Sequence, residues 1–341
     1  MSDPLRRVPG LRKRIALRVP GLGRVLRNLD ATREQRDRLL RDKQKLREEL
    51  RDLRSAPVVD DVALERLRVE LLQAPSLLAR VATLKRVRGH ARELLGHADS
   101  VWRYNSKLAG TSLARELGLR VPEKLSEAVP LEDLLLPEGR RCVVKPTGGA
   151  SARGVVPLVP AEGGRWIDLF ARQAGSRRWE EIREELAEVV ASGRIESRFF
   201  LEEMVEGPSE HELPYDWKMI CIGGQVQVIQ CRDARNQRAS RFARFRYWSA
   251  DWQDLGRIHH PERIDPDLPR PQHPDELISA AEAVAGHIGV NFLRVDLFED
   301  TAGVLFSELT PQPGGVMWFG DDLDRHFGAV WDRAEARSWA R

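Results

Sequence analysis

The stretch from Cys142 to Leu158, CVVKPTGGASARGVVPL, constrains the fold more than any other part of the chain. Val143 and Val144 lead into Lys145 and Pro146, and Val155 to Val159 form a second β-like run. Between them Thr147, Gly148, Gly149, Ala150, Ser151, Ala152, Arg153 and Gly154 supply almost no bulk. Two strands joined by such a loop can close exposed backbone N–H groups and hydroxyls over phosphates, with Lys145 as a fixed cation beside them. An ordinary hairpin with a surface lysine satisfies the same pattern, so this stretch alone leaves both readings open.

The chain of 341 residues has room for one large or two modest domains with a substantial core. Nothing in it approaches the roughly 20 consecutive apolar residues of a membrane span, and the arginine-studded start has no clean apolar signal core. Cys142, Cys221 and Cys231 show no metal spacing and predict buried, reduced thiols. The net charge of +3 hides an asymmetry: residues 1–54 carry a net +9, and the remainder a net −6. The basic character therefore belongs to an N-terminal attachment.

That attachment divides into three pieces. Residues 1–28 form a basic tail, expected to be partly disordered, in which Arg7-Val-Pro-Gly-Leu11 recurs as Arg18-Val-Pro-Gly-Leu22. Its basic and apolar residues suit anionic headgroups, although Pro9 and Pro20 break any long amphipathic helix; docking to a partner is the competing reading. Residues 29–56 are a charged helix whose Leu39, Leu46 and Leu53 are spaced by sevens. Arg36 and Lys43 occupy the other seam positions, which leaves a short coiled coil or a solvated spacer. Residues 57–96 are a further helical segment, interrupted at Pro75. These helices leave a homo-oligomer or a larger complex open.

From about residue 97 the texture changes to α+β. Trp102 to Gly118 predicts one helix ending at glycine, with a strand following from Leu119. Phe199 to Gly207 (FFLEEMVEG) predicts a strand running into a turn, and Asp216 to Arg232 a hairpin turning at Gly223-Gly224. Residues 233–271 predict long irregular segments and Pro274 to Gly289 an amphipathic helix. Asn291 to Phe298 and Gly303 to Thr310 predict a second hairpin.

Asp296 and Glu308 are acidic residues in otherwise apolar strands, where a charge is costly unless it meets solvent or a partner. Arg294 lies two residues before Asp296 and so shares its face. Paired carboxylates near a polyphosphate suit Mg²⁺, a hard ion that keeps sites for phosphate oxygens. A solvated face with one salt bridge is the plainer alternative.

VVKP with its small-residue loop, FLEEMVEG, RVDLF and FSELTPQPG occur in this order and together resemble the ATP-grasp superfamily. YDWKMICIGGQVQVI, with Trp248 and Trp252 downstream, is most similar to its TupA-like (teichuronopeptide biosynthesis) branch. The resemblance spans residues 97–341 and implies an ATP-grasp fold, two α+β subdomains gripping ATP, as the catalytic domain. It implies Lys145 beside the α-phosphate and adenine edge, with Lys107 as a second nucleotide lysine. Gly148, Gly149, Ser151 and Gly154 would form the lid over the β- and γ-phosphates. Glu202, Glu203, Met204 and Val205 would be the hinge against adenine, with a ribose contact from Glu206 or Glu203. Lys218, Arg232 and Arg294 would serve catalysis at the γ-phosphate and the anionic intermediate, and Asp296, Glu308 and Thr310 would hold Mg²⁺. Many ATP-grasp ligases carry asparagine at the position of Thr310, whose hydroxyl is a weaker metal ligand; this leaves metal stoichiometry open, and an inactive relative with it.

The implied reaction is ligation of a carboxylate to an amine through an acyl phosphate, in cell-surface polysaccharide or peptide-modified glycan biosynthesis. The alternatives are an ATP-grasp kinase acting on a hydroxyl and a catalytically silent nucleotide-binding scaffold. Phosphoryl transfer asks for positioning and charge neutralisation, which matches an inventory of lysines, arginines and carboxylates. None of the histidines has metal spacing, and only His211 precedes Lys218 closely enough to be kept near the site. Arg-rich residues 232–246 suggest a site for an anionic acceptor, with a solvated loop as the plainer alternative, and nucleic acid is disfavoured because the main domain is net acidic. A cytoplasmic location is expected, with peripheral attachment at the inner membrane face through the basic tail as the open alternative.

Overall fold

The computed structural model of the protein describes residues 74–96, 99–149, 152–208, 212–233, 243–314 and 319–339. The tail and charged-helix expectations for residues 1–56, and the helical expectation before Pro75, lie outside the described residues, as do Ser151 and His211. Ala74–Arg341 forms one compact unit.

Two antiparallel sheets organise it. The first contains β1 (Val129–Pro130), β2 (Cys142–Pro146), β3 (Val156–Ala161), β4 (Arg165–Asp168), β5 (Ser176–Arg177) and β6 (Arg198–Glu203), in the order β1-β6-β2-β3-β4-β5. Alternation along β2 sends Cys142 and Val144 into a core with Phe199 and Leu201 of β6. Helix α3 (Trp179–Ala191) caps that core with Ile182 and Leu186. Val143 pairs with Glu202 and Lys145 with Phe200, so these four side chains share the opposite face.

The second sheet contains β7 (Asp216–Ile222), β8 (Gln225–Asp233), β9 (Arg244–Trp248), β10 (Phe292–Asp300) and β11 (Gly303–Thr310), in the order β11-β10-β7-β8-β9. On one face Trp217, Met219, Ile229, Trp248, Val295 and Leu297 pack against α4 (Pro274–Ile288). That helix starts at Pro274 with Asp275 and Glu276 in its first turn, and stops at Gly289, whose φ of 71° suits a residue without a Cβ. On the other face Ile220, Ile222, Val228 and Phe292 meet Leu77 and Val81 of α1 (Leu77–Leu95), and Phe327 and Trp331 of α5 (Asp321–Trp339).

Three local readings need correcting. The stretch from Trp102 to Gly118 is not one helix: a 3₁₀ segment, Ser100–Asn105, is broken at the extended Ser106 before α2 (Lys107–Glu116) begins. Beyond Leu119 there is only an isolated bridge, Lys124 to Glu202, in place of a strand. Residues 233–271 are not wholly irregular, because β9 forms the edge of the second sheet, with Gln230 opposite Tyr247 and Arg232 opposite Phe245. The three cysteines are buried and form no disulfide, and burial pushes the Cys142 thiol up to about 12.

Candidate functional site

Helix α2 ties the two sheets to each other. Gly110 lies flat on the second sheet, where an added Cβ would stand 3.4 Å from the Phe306 ring. At its first turn, the Lys107 ammonium donates to the Gly149 carbonyl, 3.4 Å away, in the glycine loop after β2. The side chains of Leu108, Thr111, Ser112 and Arg115 then line a cavity of about 120 Å³ with Pro122, Lys124, Phe200 and Glu202.

On the first sheet, Lys145 donates to the buried Glu202 carboxylate on the same face. The glycine loop is held from below by Ile195 and Glu196. The Gly148 carbonyl accepts from the Glu196 amide at 3.2 Å, and the Thr147 hydroxyl donates to the Glu196 carboxylate at 2.5 Å. A Cβ at Gly149 or Gly154 would fall 2.8 or 2.6 Å from the Ile195 side chain, and both residues have positive φ, 139° and 70°. Glycine is therefore required at both points by close approach and by backbone conformation. Beyond Glu202, Met204 and Val205 are buried, whereas Glu203 and Glu206 face solvent and pair with Arg140 and Arg141.

The second sheet carries a continuous polar row. Across the strands, Glu308 of β11 stands opposite Asp296 of β10, Asp296 opposite Lys218 of β7, Lys218 opposite Gln230 of β8, and Gln230 opposite Tyr247 of β9. Glu308 reaches this face through a β-bulge. Leu297 pairs with Phe306 and Asp296 with Glu308, so Ser307 is the extra residue; it turns Glu308 away from the side on which Phe306 is buried.

Asp296 is 2% exposed and is held by two cations. Arg294 donates to both of its oxygens, Nε at 2.6 Å and Nη2 at 2.7 Å, and Lys218 donates to Oδ2. Lys218 also lies 2.8 Å from Asp216, which accepts from Arg232 at 3.2 Å. Burial pushes the Asp296 carboxyl up, but Arg294 and Lys218 outweigh it and hold the group well below the usual carboxylate range. The Arg294 guanidinium is disfavoured by burial and restored by Asp296, Glu308 and Asp216, with a net rise in its pKa. The predicted catalytic trio and Asp296 thus form one charge network, with Glu308 and Thr310 beside it.

Glu308 makes no hydrogen bond or ion pair among the described residues, and no group of three or more His, Cys, Asp or Glu is placed there to enclose a metal. Such a donor set does not build a closed protein cage. It does fit a hard cation that is bound through one or two carboxylates and arrives with phosphate oxygens of its own.

Sequence reasoning missed Gln230 and Tyr247. The Gln230 amide donates to the Tyr247 hydroxyl at 2.8 Å, extending the row to the sheet edge. The signal was present in the alternation of Val228, Gln230 and Arg232, but it needed β9 to give it meaning.

Residues 132–331 match the family model described as TupA-like ATP-grasp. The chain belongs to the TupA-like ATP-grasp family. No curated protein matches it. Among solved structures, it is similar to D-alanine–D-alanine ligase from Bacillus anthracis complexed with ATP, at 16% identity and a TM-score of 0.45 over 74% of each chain. It is also similar to L-amino acid ligase from Bacillus licheniformis, at 16% identity and a TM-score of 0.39, over 67% of this chain and 46% of that one. The macrocyclase MdnC of Microcystis aeruginosa, bound with its precursor peptide, gives 13% identity and a TM-score of 0.38, over 76% of this chain and 72% of that one. Membership of the ATP-grasp family rests on the family-model match, and these likenesses add no argument of their own. No helix among the described residues is long and apolar enough to cross a membrane.

Proposed function

We propose that the protein is an ATP- and Mg²⁺-dependent ligase that joins a carboxylate to an amine. The observation that carries this reading is the Glu308–Asp296–Lys218 row, with its arginines, in an ATP-grasp chain whose first sheet presents Lys145 and a glycine loop held by Ile195 and Glu196.

In this reading Lys145 and Lys107 bind the nucleotide phosphates under the glycine loop, to which Ser151 belongs. The segment Glu202–Glu206 takes the adenine and ribose, its buried Met204 and Val205 supplying an apolar wall. Asp296, Glu308 and Thr310 would hold Mg²⁺, which would neutralise phosphate charge at the transferring group. Substrate carboxylate oxygen attacks the γ-phosphorus, the bond to the bridging oxygen breaks, and ADP leaves with that electron pair. The neutral amine then attacks the acyl carbon, the acyl carbon–oxygen bond breaks, and phosphate departs with that electron pair while it or solvent takes the proton lost by the amine as the amide forms. Lys218, Arg232 and Arg294 sit where negative charge accumulates, and their carboxylate partners fix them before substrate arrives. Acceptors in cell-surface polysaccharide or peptide-modified glycan synthesis follow from the TupA-like resemblance.

The test is a screen for ADP release across amino acids and uronic acids, with products read by mass spectrometry. An amide mass is expected, and Glu308→Gln is expected to abolish it while leaving the protein folded. A phosphate added to a hydroxyl would instead establish a kinase. Absence of ATP binding by calorimetry would leave a non-catalytic member of the family.

A further inference from the structure

Helix α1 precedes the residues that match the family model, yet it reaches the acidic end of the site. Arg88, on its inner side, is 3% exposed. Its Nη1 donates to the Pro311 carbonyl at 2.7 Å, and its Nε donates to Asp99 Oδ2 at 2.7 Å. Asp99 is itself fixed, because its other oxygen accepts from the Trp102 amide at 3.1 Å and caps the 3₁₀ segment. Arg92, one turn along α1, places its guanidinium 4.0 Å from the centre of the Trp102 ring.

The helix that carries Arg88 is seated firmly. Gly328 of α5 lies so close to Pro75 and Ser76 that an added Cβ would stand 2.3 Å from the Ser76 nitrogen. Arg80 pairs with Asp332 at 2.5 Å, and the Leu78 amide donates to Asp324 at 2.8 Å. Pro311 directly follows Thr310 and lies three residues beyond Glu308, at the point where β11 ends. A buried, two-pronged arginine on a seated helix therefore holds the chain at the point where it leaves the strand that carries Glu308 and Thr310.

We propose that Arg88 is a positioning residue for the metal–nucleotide end of the site. It acts through the Pro311 carbonyl on Glu308 and Thr310, and makes α1 a part of the catalytic apparatus. This rests on the proposed function, since it is Mg²⁺ with ATP that the positioned groups would receive. Removing a group bonded directly to a metal ligand typically changes affinity by about 10- to 100-fold, and Arg88, acting one step further out through Pro311, is expected at or below the low end of that range.

The experiment uses the full chain and titrates ATP by calorimetry at a series of Mg²⁺ concentrations. Arg88→Met is expected to raise the Mg²⁺ needed for half-maximal ATP affinity severalfold, up to about tenfold. Arg88→Lys is expected to restore part of this, since one ammonium can hold Pro311 or Asp99 but lacks the fork to span both. Without any ligand, amide exchange in the peptide covering residues 303–314 is expected to quicken in Arg88→Met. If that protein does not fold, Asp99→Asn keeps an acceptor for the Trp102 amide while loosening Arg88, and a smaller shift in the same direction is expected. A Mg²⁺ requirement equal to the parent's, or a loss of ATP affinity uniform across Mg²⁺, would overturn the positioning role and leave the ligase reading intact. A parent chain that binds no ATP at any Mg²⁺ concentration would overturn both.

Discussion

Lys218 and Asp296 face each other across the β7–β10 ladder and form an ion pair whose side chains are 12% and 3% exposed. Removing one member of a buried pair leaves the other desolvated and uncompensated, which costs roughly 3–5 kcal/mol where no second partner exists. The two ends of this pair are not equivalent. Asp296 keeps its two bonds from Arg294 when Lys218 is lost; Asp296→Asn leaves Lys218 with Asp216 but strips Arg294 of the carboxylate to which it donates twice. Urea unfolding is expected to show Asp296→Asn as the more destabilising change, by about 1 kcal/mol or more over Lys218→Met. The reverse order would mean that Arg294 and Lys218 are solvated in the native protein.

The glycine loop offers a second test, in which sterics and backbone conformation can be separated. At Gly154 a methyl group meets both a φ of 70° and the Ile195 side chain at 2.6 Å. Gly154→Ala is expected to cost about 1–3 kcal/mol, the range for overpacking. Adding Ile195→Ala relieves the overlap but not the left-handed backbone, so a double-mutant cycle should give a favourable coupling of about 1 kcal/mol with part of the loss remaining. Zero coupling would assign the whole cost to φ.

His260 should leave its mark on stability between pH 4 and 6.5. Burial, then the neighbouring His259 and Arg263, lower its pKa from 6.5 to about 4. Between those values the unfolded chain takes up a proton that the folded protein refuses. Its contribution is therefore complete above pH 6.5 and declines as the pH falls toward 4. Glu299 acts in the opposite sense, since burial raises its pKa against the bonds it accepts from the His273 and Gln272 amides. The comparison is consequently between parent and His260→Asn, asparagine being tolerant of the φ of 50° found there. The variant is expected to lose less stability than the parent on acidification from pH 6.5 to 5, measured by thermal melts. Parallel curves would place the His260 ring in ordinary solvent.

How much of this was legible in the sequence depends on the range of the interaction that sets each feature. The β2 run, the Gly223-Gly224 turn and the α4 boundaries follow from alternation, turn chemistry and caps, all local, and all appear in the structure. The face on which Glu308 lies was not legible. Strict alternation would put it with Phe306, and only the extra residue at Ser307, set by pairing with β10, turns it toward Asp296. Strand β9 was hidden because its residues, RFRYW, read as an arginine-rich loop until Gln230 and Arg232 provide an edge to pair with. Arg88 was hidden for a similar reason: its partners Asp99 and Pro311 are 11 and 223 residues away. The candidate lysines and carboxylates were found from residue type and order, whereas the bonds that hold them are tertiary.

Lys145 and Glu202 permit a test that separates folding from binding. They pair on the face shared with Phe200, with side chains 14% and 9% exposed. Lys145→Met leaves Glu202 buried without its cation, so it should lose both stability, by roughly 3 kcal/mol, and affinity for ATP. Glu202→Gln in the same chain removes the stranded charge and puts a neutral amide beside the new apolar neighbour. If the lysine serves only the fold, the double variant should recover stability and ATP affinity together. If Lys145 meets a phosphate, the double variant should recover most of the stability yet remain at least about tenfold weaker for ATP than Glu202→Gln alone, because a charge-assisted bond to phosphate contributes about 1.5–3 kcal/mol. Chemical denaturation and calorimetry on the same preparations give both quantities. Recovery of the two in parallel would withdraw Lys145 from the nucleotide site.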